Sequence, residues 1–359
     1  MRVQSNKLDF TGQTIFVGID VHLKSWSVGI LSDHSVLKKF RQDPDAAALY
    51  KFLSSNYPNA TFHSVYEAGF SGFWLHHRLV DFGIHNIVVN PADVPTMVKE
   101  KLRKTDAVDC AKLARELRSG TLKGTYVPGA RALEMRSLIR LRKSIVKDST
   151  REKNRIKSLL HFHGIAIPEE FTKHSTGNWS KRFLAWLKTA ELATEYGRKA
   201  LDMHIEQLTR LREMLLEKTR VIRTLSRTEA FAEPLRLITS VPGIGVTTGI
   251  SLLTEIDNIE RFKNAEHLAS YIGLVPMCHS SGEKQGVGGI TIRKHAALRS
   301  YLIEAAWVAI RKDPTMTMAY AEYRKRMNAQ KSIVKIARKL VNRIYFVMKH
   351  KQEYVPCVV

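Results

Sequence analysis

Four carboxylates stand out by type and position: Asp20 in FVGIDVH, Glu67 in SVYEAGFSG, and Asp106 and Asp109 in KTDAVDCAKLA. Carboxylate oxygens are the hard ligands that magnesium and manganese prefer. On a helix, residues three apart share a face with about 5–6 Å between Cβ atoms. Asp106 and Asp109 at that spacing can share a divalent cation, and two-metal nuclease sites hold their ions roughly 3.5–4 Å apart. The pair has a plainer role as well. With Thr105 as N-cap, both acids fall early in a helix running to about Arg118 and closed by Gly120, where the dipole favours negative charge. Asp20 can likewise be a hairpin-turn residue and Glu67 a strand-end surface acid. The combination, inside a strongly basic chain, points to a metal site that meets phosphates.

The elements that must carry these acids are legible in part. TIFVGIDVHLKSWSVGIL (from residue 14) reads as two strands joined by a short turn, with Asp20 at the end of the first. ATFHSVYEAG (60–69) and HNIVVNP (85–91) read as further strands, with Glu67 at a strand end before a glycine turn. Sites in α/β sheets assemble at such strand ends. DAAALYKFLSSN and GFWLHHRLVDFG have helical spacing. Together these predict an α/β domain with a mixed sheet over residues 1–125.

The whole chain narrows the partners. It has 359 residues, with 57 Lys and Arg against 34 Asp and Glu, a formal charge of +23. Such a field attracts polyanions, nucleic acid first and an anionic membrane surface second. No apolar run approaches the roughly 18 residues of a membrane span, and the N-terminus lacks a signal-peptide pattern. Three scattered cysteines, Cys110, Cys278 and Cys357, make neither a disulfide framework nor a zinc spacing. A reduced, cytoplasmic protein is expected.

Residues 126–230 read as a basic helical, coiled-coil-like region. Its first helix, about 131–163, carries Arg136, Arg140, Arg142, Lys143 and Lys147, then Arg151, Lys153, Arg155 and Lys157. A stripe of Leu133, Leu138, Leu141, Ile145, Ile156 and Leu159 forms the apolar face, and so lopsided a charge ratio favours phosphate-backbone contact over a merely solvated face. A second long helical stretch covers about 180–226, with Ile205, Leu208, Leu211, Leu215 and Ile222 near heptad spacing. Residues 231–359 form a mostly helical unit ending in a basic amphipathic helix near 319–350. Within it, LITSVPGIGVTTGISLLTEI resembles a helix–hairpin–helix. Gly243 and Gly245 permit the tight turn and leave N–H groups to hold a phosphate, although a plain glycine turn between core helices explains them equally well.

The order GIDVH, YEAG, KTDAVDCAKLA resembles the RuvC-like domain of the DEDD transposases, the bridge-RNA-guided recombinases of the IS-one-ten and IS-eleven-eleven insertion-sequence group. The resemblance implies an RNase H-like fold and a magnesium (or manganese) site formed by Asp20, Glu67, Asp106 and Asp109. The stretch GLVPMCHSSGEKQGVGGITIRKHAALRS resembles the same family's transposase domain. It implies a nucleophilic serine at Ser281, preceding Gly282, with Ser280 the neighbouring alternative. By composition Ser281 is an ordinary serine in a flexible glycine-rich loop. A serine hydroxyl needs an activating base or metal, and Lys284, Arg293, Lys294 and Arg299 can offset charge developing on a phosphate. The family further implies a phosphoserine intermediate, double-stranded DNA of element and target, a structured guide RNA, and a dimer or tetramer with composite sites. Base pairing would read sequence, and protein would hold backbone. Three other functions stay open: a hydrolytic nuclease such as a junction resolvase, a site-specific invertase, and a non-enzymatic nucleic-acid-binding protein.

Overall fold

The computed structural model describes residues 9–95, 106–173, 179–281 and 284–356, with side chains except at 106–107, 278–281 and 284–287. The chain forms two compact units, Met1–Ala130 and Arg131–Val359.

The first unit is built on a five-stranded mixed sheet in the order β3-β2-β1-β4-β5. The strands are β1 (Thr14–Val21), β2 (Trp26–Leu31), β3 (Val36–Gln42), β4 (Thr61–Glu67) and β5 (His85–Val89). β1, β2 and β3 form an antiparallel meander, and β4 runs parallel to both β1 and β5. Two helices, α1 (Ala46–Asn56) and α2 (Trp74–Asp81), supply one core. Ile15, Val17 and Ile19 of β1 and Tyr66 of β4 pack there with Leu49, Leu53, Leu75 and Leu79. Strand alternation then turns Gly18 and Val65 to the opposite face, where α3 (Asp106–Arg118) lies. Leu113 of α3 packs with Val65 and Val89 in a separate small cluster.

β3 is absent from the elements expected above. Its VLKKFRQ is almost wholly exposed, so it carries no alternating apolar signal. Lysines on an edge strand are a common guard against further pairing, and β3 is held by its ladder to β2, with Val28 opposite Phe40.

The second unit is mostly helical. Two long helices, α4 (Ala130–Phe162) and α7 (Glu195–Leu225), run side by side in opposite directions, as Arg142 donates to Thr219 and buried Glu152 meets His204. Between them in sequence lie α5 (Glu169–Thr172) and α6 (Lys181–Thr189). Ile156, Leu160, Phe183, Leu187, Leu201 and Leu208 form one core at this end. Ile139 and Ile222 join the larger core made with α8 (Glu229–Thr239), α9 (Val246–Ile256), α10 (Ala265–Ile272), α11 (Ala296–Lys312), α12 (Pro314–Arg324) and α13 (Ala329–His350). Among the described residues no helix is long and apolar enough to cross a membrane.

Three expectations change here. The apolar stripe of α4 changes in part: Ile145 and Ile156 are buried as expected, Ile139 and Leu160 join them, and Leu141 is exposed. The stretch 180–226 is two helices, because Thr194 caps α7 by accepting from the Gly197 N–H. The basic C-terminal stretch is also two helices, interrupted where Asn328 caps α13 through the Lys331 N–H.

Candidate active site

Asp20 and Glu67 stand at the same level of adjacent strands. The parallel register pairs Ile19 with Tyr66, so the following residue on each strand is one of the two acids. Both fall on the face that α3 covers, since Gly18 and Asp20, like Val65 and Glu67, are two residues apart.

The direction of α3 follows from its contacts. Near its C-terminal end, Arg118 donates to the Ser32 and Asp33 carbonyls, just past the end of β2. Leu31 pairs with Phe16, near the beginning of β1. The helix therefore runs antiparallel to β1 and brings its N-terminal end, with Asp106 and Asp109, toward the Asp20 end of that strand. Glycine makes the approach possible: a Cβ on Gly18 would sit 2.0 Å from the Cys110 carbonyl oxygen, and one on its partner Gly29 would sit 3.1 Å from Ala111. The acids are thus carried by β1, β4 and α3, held at the backbone level.

Their surroundings are polar and partly cationic. Asp20 meets His22 Nε2 at 3.1 Å and remains about a quarter exposed. Asp109 faces the buried Lys112 ammonium at 3.4 Å. Cys110, buried where α3 meets Gly18 of the sheet, has its thiol pushed up to about 11 by burial, with the negative charge of Asp20 acting in the same direction. It is a packing residue. Thr105 and the Asp106 side chain lie outside what is described. Among the described residues no group of three or more metal-ligating side chains is assembled; the donors described, Asp20, Glu67 and Asp109, are oxygen-only and suit magnesium in kind.

The second chemistry-bearing stretch is a β-hairpin, which corrects the flexible loop expected for it. β6 (Pro276–Ser281) pairs antiparallel with β7 (Lys284–Ile290), and Ser281 opposes Lys284 as the last rung. Three glycines in KQGVGGI hide this strand from a propensity reading. The side chains of Ser280, Ser281 and Lys284 lie outside the described set.

Comparison with known proteins matches residues 17–165 to a transposase profile of the DEDD IS110 type, and residues 235–321 to the profile described as transposase IS116/IS110/IS902 family. The chain belongs to the IS110 family of transposases. The first profile spans all four carboxylates, and the second spans the glycine turn and the hairpin. Among relatives, the transposase of insertion sequence element IS1111A from Coxiella burnetii is 24% identical over 68% of this chain and 64% of its own length. The transposase of element IS1533 from Leptospira borgpetersenii is 23% identical over 72% of this chain and 74% of its own. A pilin gene-inverting protein of Moraxella bovis is 35% identical over 33% of this chain and 38% of its own length. The chain thus spans just under two thirds of the IS1111A protein.

Within this family member the basic residues divide into two sets. Lys147, Arg151, Arg155 and Lys157 are exposed on α4. Lys153 lies over the Trp179 ring, and Lys143 over Tyr301, where burial lowers its pKa. Arg142 is half-buried and donates to Thr219. Arg136 is different: it is buried and donates to the Thr254 and Glu255 carbonyls, so its charge is committed inside the fold rather than to phosphate. Arg140 binds both Glu255 oxygens at 2.8 Å while keeping an exposed side. Arg293 and Lys294 are exposed, whereas Arg299 is half-buried and donates to two backbone carbonyls. Gly243, with φ +93, lies against α11, where an added Cβ would be 2.3 Å from the Ala305 carbonyl oxygen. Its role is helix packing. Gly245 caps α9 with open space around it.

Sequence reasoning missed Glu255 and His295, which are in contact at 3.2 Å. Both lie within stretches quoted above, LITSVPGIGVTTGISLLTEI and GLVPMCHSSGEKQGVGGITIRKHAALRS, but nothing local in either pairs one with the other.

Proposed function

We propose that this protein is the transposase of an insertion sequence, cutting and rejoining element and target DNA under the guidance of a structured RNA. The first unit acts as an RNase H-like domain whose Asp20, Glu67, Asp106 and Asp109 hold magnesium or manganese. The observation that carries this reading is the delivery of acids to one end of one sheet face by β1, β4 and α3. A bound divalent ion at such carboxylates supplies Lewis-acid stabilisation of phosphate charge and lowers the pKa of a nearby hydroxyl.

Ser281 is the nucleophile. Its oxygen bonds to a backbone phosphorus, the bond from that phosphorus to one deoxyribose oxygen breaks, and the departing oxygen takes up a proton as the serine gives one up. A deoxyribose hydroxyl of the other strand then attacks the phosphoserine, restoring the serine and joining the new strand. The exposed lysines and arginines of α4 hold RNA or DNA backbone, and an oligomer completes the sites.

Purified protein with its co-purifying RNA, magnesium and a labelled donor junction tests the reading. A denaturation-resistant protein–DNA adduct is expected from wild type and from Ser280→Ala, and none from Ser281→Ala or Asp20→Asn. Cleavage without adduct that survives Ser281→Ala but not Asp20→Asn would instead establish a hydrolytic nuclease. A second reading, inversion of a DNA segment, is favoured by the 35% identity to the pilin gene-inverting protein. It uses the same chemistry on differently placed sites.

A further inference from the structure

The hairpin that ends in Ser281 is tied at its base in a way that its own ladder does not require. The chain enters β6 through Gly273–Val275 and leaves β7 through Thr291–Lys294. Gly273, at φ +85, ends α10, and a Cβ there would lie 2.5 Å from Lys294 Cβ and 2.7 Å from the Arg293 carbonyl oxygen. The two segments are therefore in direct contact, and the Thr291 N–H donates to the Val275 carbonyl. Arg299 Nη1 joins both, donating to the Gly273 carbonyl at 3.1 Å and to the Thr291 carbonyl at 2.7 Å.

Arg299 stands in the first turns of α11, whose N-cap is His295. The His295 Nδ1 accepts from the Leu298 N–H at 3.2 Å, which places the ring proton on Nε2. That nitrogen lies 3.2 Å from a Glu255 oxygen. Glu255 is in turn gripped from α4 by both bonds of Arg140, while Arg136 holds the carbonyls of Thr254 and Glu255. Charged, planar donors used bidentately give orientation as well as energy.

We infer that Arg299, together with the His295–Glu255 pair, is a positioning clamp that fixes the base of the β6–β7 hairpin and so sets where Ser281 stands during strand cleavage. This rests on the serine reading above. It removes Arg299 from the phosphate-binding set. The physical need is ordinary: a nucleophile displaced by about 1 Å can cost on the order of 100-fold in rate. A hairpin of only a few rungs with glycines in one strand does not hold such tolerance unaided.

Two properties of the full-length protein separate a clamp from a phosphate ligand. Amide hydrogen exchange across 276–281 and 284–290 reads the hairpin directly, and DNA affinity against salt reads phosphate contacts. For Arg299→Gln, we expect faster exchange in the hairpin, unchanged exchange in α13, unchanged DNA affinity and salt dependence, and a fall of about 100-fold in the rate of adduct formation. Arg299→Lys keeps the charge, but its ammonium ends one bond short of the Nη1 position that donates to both carbonyls, so it should resemble Arg299→Gln. Glu255→Gln, which removes the charged acceptor of His295, should loosen the same amides less. Unchanged hairpin exchange, with affinity lowered and the salt slope reduced by about one in Arg299→Gln but restored in Arg299→Lys, would overturn the clamp and return Arg299 to phosphate. If wild type forms no adduct at all, the serine reading fails, and the exchange result still decides the clamp.

Discussion

Glu255 ends an apolar helix, where the dipole disfavours a negative charge, and it is almost fully buried. Burial by itself raises its pKa, but hydrogen bonds from His295 and Arg140, with the charge of Arg140, outweigh this and hold it at about 2, against 4.5 for a free glutamate. Arg136, Arg261 and Tyr271 also face it, through its carboxylate or its carbonyl. A folded pKa below the unfolded one stabilises the protein above the unfolded value, and the effect is lost as pH falls toward the folded value. The melting temperature of wild type should accordingly fall between pH 4.5 and 2 more steeply than that of Glu255→Gln. Parallel melting curves against pH would rule this out. At this scale Asp20 and Glu67 were legible as strand-end acids from the apolar runs that precede them. Arg136 and Arg299 were not, because a guanidinium that binds carbonyls and one that binds phosphate look identical in a sequence.

The element that decides the candidate site is α3, and its seat depends on two glycines facing each other across β1 and β2. Ala at position 18 would drive a methyl group into the Cys110 carbonyl. Overpacking of this kind costs typically about 1–3 kcal/mol. Because the obstacle is backbone, Gly18→Ala should reach at least the upper part of that range and shift the helix that carries Asp106 and Asp109. Denaturant unfolding and adduct formation should both suffer, whereas Gly129→Ala, with open space around it, should change neither. A Gly18→Ala protein of wild-type stability would show that α3 does not sit where its contacts place it. Strands β1, β2, β4 and β5 were legible from their β-branched runs. β3 and the β6–β7 hairpin were not, since an exposed lysine-bearing edge and a glycine-rich strand are formed by pairing rather than by local preference. The same holds for the breaks before α7 and α13, where a single capping side chain decides.

For the whole molecule the dominant quantity is charge, +23 over 359 residues. Cations that remain exposed should release counterions on binding nucleic acid, so affinity should fall by about 10³ or more between roughly 50 and 200 mM salt if six or more phosphates are held. Lys147→Gln, at an exposed position of α4, should lower the slope by about one. Arg136→Gln should leave the slope alone and lower the melting temperature instead, because its partners are the Thr254 and Glu255 carbonyls. A slope change in Arg136→Gln without destabilisation would reverse that assignment.

By itself the sequence determined residue types and their local order: acids at strand ends, a large net positive charge, an α/β unit followed by helices, and the family. These follow from residue type and short-range period, which survive without a fold. Only the tertiary structure decided which face of the sheet the acids share, which way α3 runs, that the serine ends a strand, and which arginines are already committed. Those are properties of contacts between residues far apart in the chain, such as Arg299 with Gly273 or Gly18 with Cys110, and no local pattern encodes a partner.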